Sequence, residues 1–218
     1  MTGKHSPDAQ MFPEFDLLYD LINREIADLN DETLDFTSEN WDWSHWSIRM
    51  QLSHMASLIP RWIVVRLGHI LYPNGDHGYT NLEPIANSKH DRRLDEDQYW
   101  EIHEIMFALE KAINLVRDVL FRTSAETLME HKVQRNPSPQ WKSMSKAHPH
   151  GVTVVGDPAG GTMTIEATIR HIYFEQTTHL FNIQRLKKAQ GLPIISDLPK
   201  VCLLYTSPSQ RDATLSRM

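Results

Sequence analysis

The chain has 218 residues and a formal charge of −6, with 22 basic against 28 acidic side chains, and no strong basic run offsets that balance, which excludes nucleic acid as the main partner. Its single cysteine, Cys202, excludes an internal disulfide framework and a cysteine-based zinc site, so a metal site must use histidines and carboxylates. No apolar run approaches the roughly 18 residues of a membrane span and the start lacks a charged-then-apolar leader pattern, so the expectation is a cytoplasmic protein with no membrane partner and one large domain.

Residues 1–12 read as a flexible N-terminus. The first helix is expected from about Pro13 to Asn30. Pro13 suits a first-turn position, and Phe15, Leu18, Ile22 and Leu29 recur near helical spacing. It reads as scaffold. The connection after it is dense in tryptophan. Trp41, Trp43 and Trp46 either cap one end of the core or form a wall of a ligand pocket.

The second helix is expected from about Trp46 to Tyr72. Ser44 or His45 precedes it, and Pro73-Asn74-Gly75 ends it. Pro60 lies inside, where its ring should clash with the carbonyl of Ala56 and bend the helix. On a wheel centred on His54, Met50, Leu58, Arg61 and Val65 fall within about 40°. His54 therefore points into the core, with Arg61 two turns further along the same face. A lone histidine on an apolar face is more often a satisfied core residue than a ligand. Arg61 there either neutralises an anionic ligand or pairs with Glu175.

Residues 74–92 form a polar connection. The third helix is expected over about Asp95–Arg122, with Ile102, Ile105, Met106, Leu109, Ile113, Val116 and Leu120 as a clean apolar stripe and His103 beside it. Residues 123–161 are irregular, with four prolines and Gly160-Gly161, and Val152–Val155 could form a short extended piece. A connection this long between helices is unusual and often functional, for example as a lid.

The fourth helix spans Thr164 to Gly191. Thr164 suits the N-cap, Glu166 the first turn and Lys187 and Lys188 the last, and Gly191 the stop before Pro193. Ile165, Ile169, Ile172, Leu180, Ile183 and Leu186 share one arc. His179 falls near the middle of it, Glu175 to one side and His171 near its edge. Glu175 and His179 are thus an acid and an imidazole one turn apart on the inward face. A buried carboxylate needs compensation. A metal ion held by this pair would supply it; a buried Glu–His hydrogen bond tying two helices together is the alternative.

Four long amphipathic helices with long connections read as an all-α four-helix bundle domain over residues 13–200, and facing helices of a bundle can build a metal site in its core. Residues 201–218, VCLLYTSPSQRDATLSRM, do not continue the pattern. They closely resemble translated sequencing-adapter read-through, which would put the native end near Lys200 and remove Cys202 from consideration. A natural disordered tail is the competing reading.

Two segments carry a family resemblance: WSIRMQLSHM around His54, and RHIYFEQTTHLFNIQRL in the fourth helix. With them, residues 13–192 resemble the DinB/YfiT-like superfamily. The resemblance implies a divalent metal held by His54, Glu175 and His179, and places His171, one turn before Glu175, in a supporting shell. Many members have histidine where this chain has Glu175. The His-Glu-His set is similar to the branch containing mycothiol-dependent maleylpyruvate isomerase. It implies zinc, or else nickel, iron or manganese, with an open position, and a metal-activated nucleophile, often a low-molecular-weight thiol such as mycothiol or bacillithiol, acting on a small-molecule electrophile. A homodimer is also implied. The expected function is thiol transfer or isomerisation, with Arg61 holding a carboxylate of substrate or cofactor. The alternatives are a metal-dependent hydrolase acting through a bound water, a metal-binding sensor or storage protein, and a non-catalytic bundle with a structural polar core.

Overall fold

The computed structural model describes residues 11–137, 141, 145–146 and 149–198. The N-terminal stretch up to residue 10 and the tail expected to be read-through, with Cys202, lie outside the described residues. The described chain is mostly helical, with one two-stranded sheet. It divides into two compact units, the first drawn from residues 11–124 and 175–197 and the second from 125–174 and 198.

In the first unit, α1 spans Phe15–Ile26 and buries Phe15, Leu18, Ile22 and Ile26. It stops short of the expected Asn30 because Asp28 turns to φ 65°, a left-handed conformation that a helix interior does not admit. Asn30 instead caps α2, Asp31–Asp35, its Oδ1 accepting the Thr33 N–H at 2.9 Å. A 3-10 turn over Asp42–Ser44 leads to α3, Ile48–Pro60. Ser47, rather than Ser44 or His45, caps α3 by accepting the Met50 N–H at 3.2 Å.

Pro60 closes α3. It has no N–H to give to the preceding turn, and the chain continues as a π-turn over Arg61–Arg66. There Leu67 N–H reaches back to Trp62 O at 3.1 Å, one residue further than in an α-helix. The extra residue rotates the downstream side chains by about 100°. Val65, expected inward, is therefore 50% exposed, while Trp62, Ile63 and Val64 are buried. The α4 turn, Gly68–Leu71, completes this run.

After α5, Glu83–Ala86, residues 88–95 form a strap against α3. Ser53 Oγ accepts the Leu94 N–H at 3.0 Å, and Pro84 O accepts the Asp95 N–H at 2.7 Å. These bonds hold residues 95–101 out of the third helix, whose expected start is Asp95. As α6 it spans Ile102–Arg122. Its buried stripe of Ile105, Leu109, Ile113, Val116 and Leu120 packs on α3 and α1.

In the second unit, α7 covers Ala125–Glu130 and precedes β1, Lys132–Arg135, and β2, Gly161–Thr164. The strands pair antiparallel, Lys132 opposite Thr164 and Arg135 opposite Gly161. Val152 and Val155 add single bridges to Met163 and Gly160. The described chain is largely α, as expected, with this ladder added to it, of which the sequence suggests only the Val152–Val155 portion as extended. Gly161, at φ 145°, carries Thr153 O where a Cβ would stand, 2.0 Å away, so a side chain there would break the close approach.

The last helix, α8, spans Ile165–Ala189. Thr164 Oγ1 accepts the Ala167 N–H at 3.0 Å, the expected cap. Gly191 ends the run at φ 76°. Residues from Glu175 onward belong to the first unit, where Leu180, Ile183 and Leu186 are fully buried. Gln176 Nε2 donates to Met55 O at 2.8 Å, fixing the rotation of α8 on α3.

Candidate metal centre

His54 lies in the middle of α3, and Glu175 and His179 stand one turn apart on α8. Gln176, between them, is locked to the α3 backbone, so both side chains face α3. One ligand atom from each of the three lies within 4.8 Å of the others. Glu175 Oε2 is 3.6 Å from His179 Nε2 and 4.0 Å from His54 Nε2. Both distances are long for a hydrogen bond. Donors on a tetrahedral zinc with bonds of about 2.0–2.1 Å stand roughly 3.4 Å apart, so small side-chain shifts would suffice.

The far nitrogens settle which ring atoms face Glu175. His54 Nδ1 is 2.9 Å from Arg92 O. A carbonyl only accepts, so Nδ1 carries the proton and donates, and in the neutral ring Nε2 keeps its lone pair. His179 Nδ1 in turn donates to Gln51 Oε1, and the Gln51 amide nitrogen donates to Trp46 O at 3.4 Å. Each histidine is thereby held in the tautomer that presents Nε2 as an acceptor, the arrangement that outer-shell partners impose on metal-binding histidines. Burial depresses the His54 imidazole to about 4; Glu175 opposes this, while His179 and Arg61 add to it. His54 is neutral near pH 7. Its Nε2 lone pair and the Glu175 carboxylate thus converge, joined by His179 Nε2, and a cation between them would compensate the charge. The group could hold a divalent ion, and the donor set fits zinc or a similar borderline cation.

His54 is buried, whereas Glu175 and His179 are half-buried and leave the group accessible. The Trp46 ring covers the histidines, 5.2 Å from His54 and stacked 6.1 Å from His179. The guanidinium of Arg92 lies over the same ring at 5.4 Å. Arg61 is half-buried at the start of the π-turn. Burial lowers its guanidinium to about 10, helped by Arg92 and Arg66 and opposed by Asp91 and Glu175.

The structure brings His54, Glu175 and His179 together, the set that the family resemblance implied. Arg61 is within electrostatic reach of His54 and Glu175. His171 belongs to the second unit and is not a member of this cluster. The three tryptophans separate. Trp46 walls the site, while Trp41 and Trp43 stack on each other at 5.1 Å, with Arg185 over Trp43 at 4.0 Å. Sequence reasoning missed Gln51 and the Arg92 carbonyl. Gln51, three residues before His54, was visible as a polar residue in a buried run; the Arg92 carbonyl has no sequence signal. It also missed a second group, His90, Asp95 and Asp97, whose Asp97 is already paired with Lys89. Protein-family models, curated proteins and solved structures give no match to this chain. The site is therefore read from its own chemistry.

Proposed function

We propose that the protein is a divalent-metal-binding bundle of the DinB/YfiT-like type, and that His54, Glu175 and His179 hold the metal of an enzyme that activates a low-molecular-weight thiol toward a small electrophile. The observation that carries the reading is the convergence of two imidazole Nε2 atoms and one carboxylate, with both Nδ1 atoms tied to acceptors behind them. The long helical runs over residues 15–26, 48–71, 102–122 and 165–189 support the four-helix reading.

Two neutral imidazoles and one carboxylate leave a divalent ion with one net positive charge, which favours an anionic partner such as a thiolate. When bound, the ion supplies Lewis acidity, lowering the pKa of a thiol or water that takes its open position. The chain's own groups do the rest. Gln51 and Arg92 O fix the imidazole planes, Glu175 neutralises part of the charge, and Trp46 shields one side from water.

Replacing His179 by alanine should abolish stoichiometric zinc binding in purified protein. Unchanged metal content in that variant would sink the reading. Loaded protein should then consume small thiols with an aryl halide electrophile and lose that turnover with a chelator. Ester hydrolysis without thiol would favour the hydrolase alternative instead.

A further inference from the structure

Arg61 has no assigned partner in the proposed site. Its Nε is sealed from solvent and makes no hydrogen bond. Among the described residues its guanidinium forms no ion pair. The neighbouring charges do not satisfy it. Arg92 and Arg66 are like charges. Asp91 is taken by Arg92, whose Nε and terminal nitrogen donate to it at 3.2 and 3.3 Å. Glu175 faces the two histidines. Arg66 lies over the Trp62 ring at 4.5 Å.

An arginine held this way is a standing cost, because a partly buried cation without a carboxylate loses hydration and gains no pairing. Its place is also specific. It stands two turns from His54 on the same run and opens the π-turn, a distortion frequent at functional sites. Arg92, whose carbonyl positions His54, has a left-handed φ of 54°, a backbone state that persists where the surroundings enforce it. Arg61 thus lies within electrostatic reach of His54 and Glu175, while its buried Nε has no hydrogen-bond partner among the described residues.

Resting on the metal reading above, we infer that the molecule reaching the triad is a carboxylate-bearing small molecule, and that Arg61 binds its carboxylate while its reactive end meets His54, Glu175 and His179. The planar fork of arginine suits a carboxylate in two-point contact. The ligand would relieve the unpaired cation and be aimed by it.

The test uses the full chain loaded with zinc and two thiol probes, 3-mercaptopropionate and 2-mercaptoethanol, titrated calorimetrically. The anionic thiol should bind at least about tenfold more tightly, the factor expected of one charge-assisted contact. Arg61→Gln should keep its zinc and bring the two probes within about twofold. Arg61→Lys supplies the comparison if the glutamine variant does not fold, and should retain only part of the preference. No preference in the parent, or a full preference in Arg61→Gln with zinc unchanged, overturns the inference. If the parent takes up no zinc, the metal reading fails and this one is decided separately. Propionate should then still move the Arg61 Nε–Hε signal in nitrogen–proton spectra of the metal-free chain, where propanol does not; an unmoved signal overturns it.

Discussion

Gln51 Oε1 and the carbonyl of Arg92 each accept a hydrogen bond from one histidine of the triad. That fixes Nε2 as the atom that meets Glu175 in both rings. Gln51→Leu should leave the fold intact but free the His179 ring, and outer-shell losses of this kind lower metal affinity by about 10–100-fold. Competition with a chromophoric zinc chelator reads this, and parent-like affinity would contradict it. Arg61 gives a prediction of the opposite kind. Because it sits unpaired, Arg61→Met should not lower the melting temperature, and a loss above about 1 kcal/mol would show that it supports the fold after all. At this scale the sequence was informative where helical period alone decides. His54, Glu175 and His179 repeat with the apolar stripes, so their common inward direction could be read. The Arg92 carbonyl depends on a left-handed residue in a loop, and nothing in the side-chain pattern announces it.

Between elements, a buried polar tie lies in the first unit, where α8 meets α1. Glu25 is fully buried, and Lys187 Nζ donates to its carboxylate at 2.6 Å and to its backbone carbonyl at 2.6 Å. Ser196 N–H and Gln184 Nε2 complete the shell at 2.8 and 3.3 Å, anchoring the segment after the helix. Glu25→Ala would strand the buried Lys187 and should cost roughly 3–5 kcal/mol in denaturant unfolding; a loss under about 1 kcal/mol would place the pair with weak surface bridges instead. Burial pushes the Glu25 carboxyl up, but the bonds from Lys187, Ser196 and Gln184 outweigh it and hold it below its ordinary value. The unfolded chain therefore binds the proton more readily. The stability from Glu25 is complete above the ordinary carboxylate range and is lost as pH falls through the depressed folded value. Stability against pH should show an acid-side decline that flattens in Glu25→Gln; parallel curves would contradict the assignment. From the sequence, Lys187 reads only as a favourable charge near a helix end, because its partner lies 162 positions away. Helix edges are hidden for similar reasons. The strap contacts from Ser53 and Pro84, not local propensity, set where α6 begins, and the π-turn after Pro60 turns Val65 outward.

Across the molecule, the helical character was readable because four long stripes recur at helical spacing. The ladder of β1 and β2 was not, since KVQR carries one apolar residue and its pairing with Gly161–Thr164 is remote in sequence. No described helix is long and apolar enough to cross a membrane. A metal bound only by the folded chain must stabilise it, by about 2.7 kcal/mol at a hundredfold excess over the dissociation constant. For a chain of this size that corresponds to roughly 5–10 °C in melting temperature. The gain should vanish in the Glu175→Ala/His179→Ala double variant. The most direct measurement is elemental analysis of the untagged protein beside that double variant. About one divalent ion per chain in the parent and none in the variant is the result expected. No ion in either, even after incubation with zinc, nickel or manganese, would contradict the metal centre and leave His54, Glu175 and His179 as a structural polar cluster.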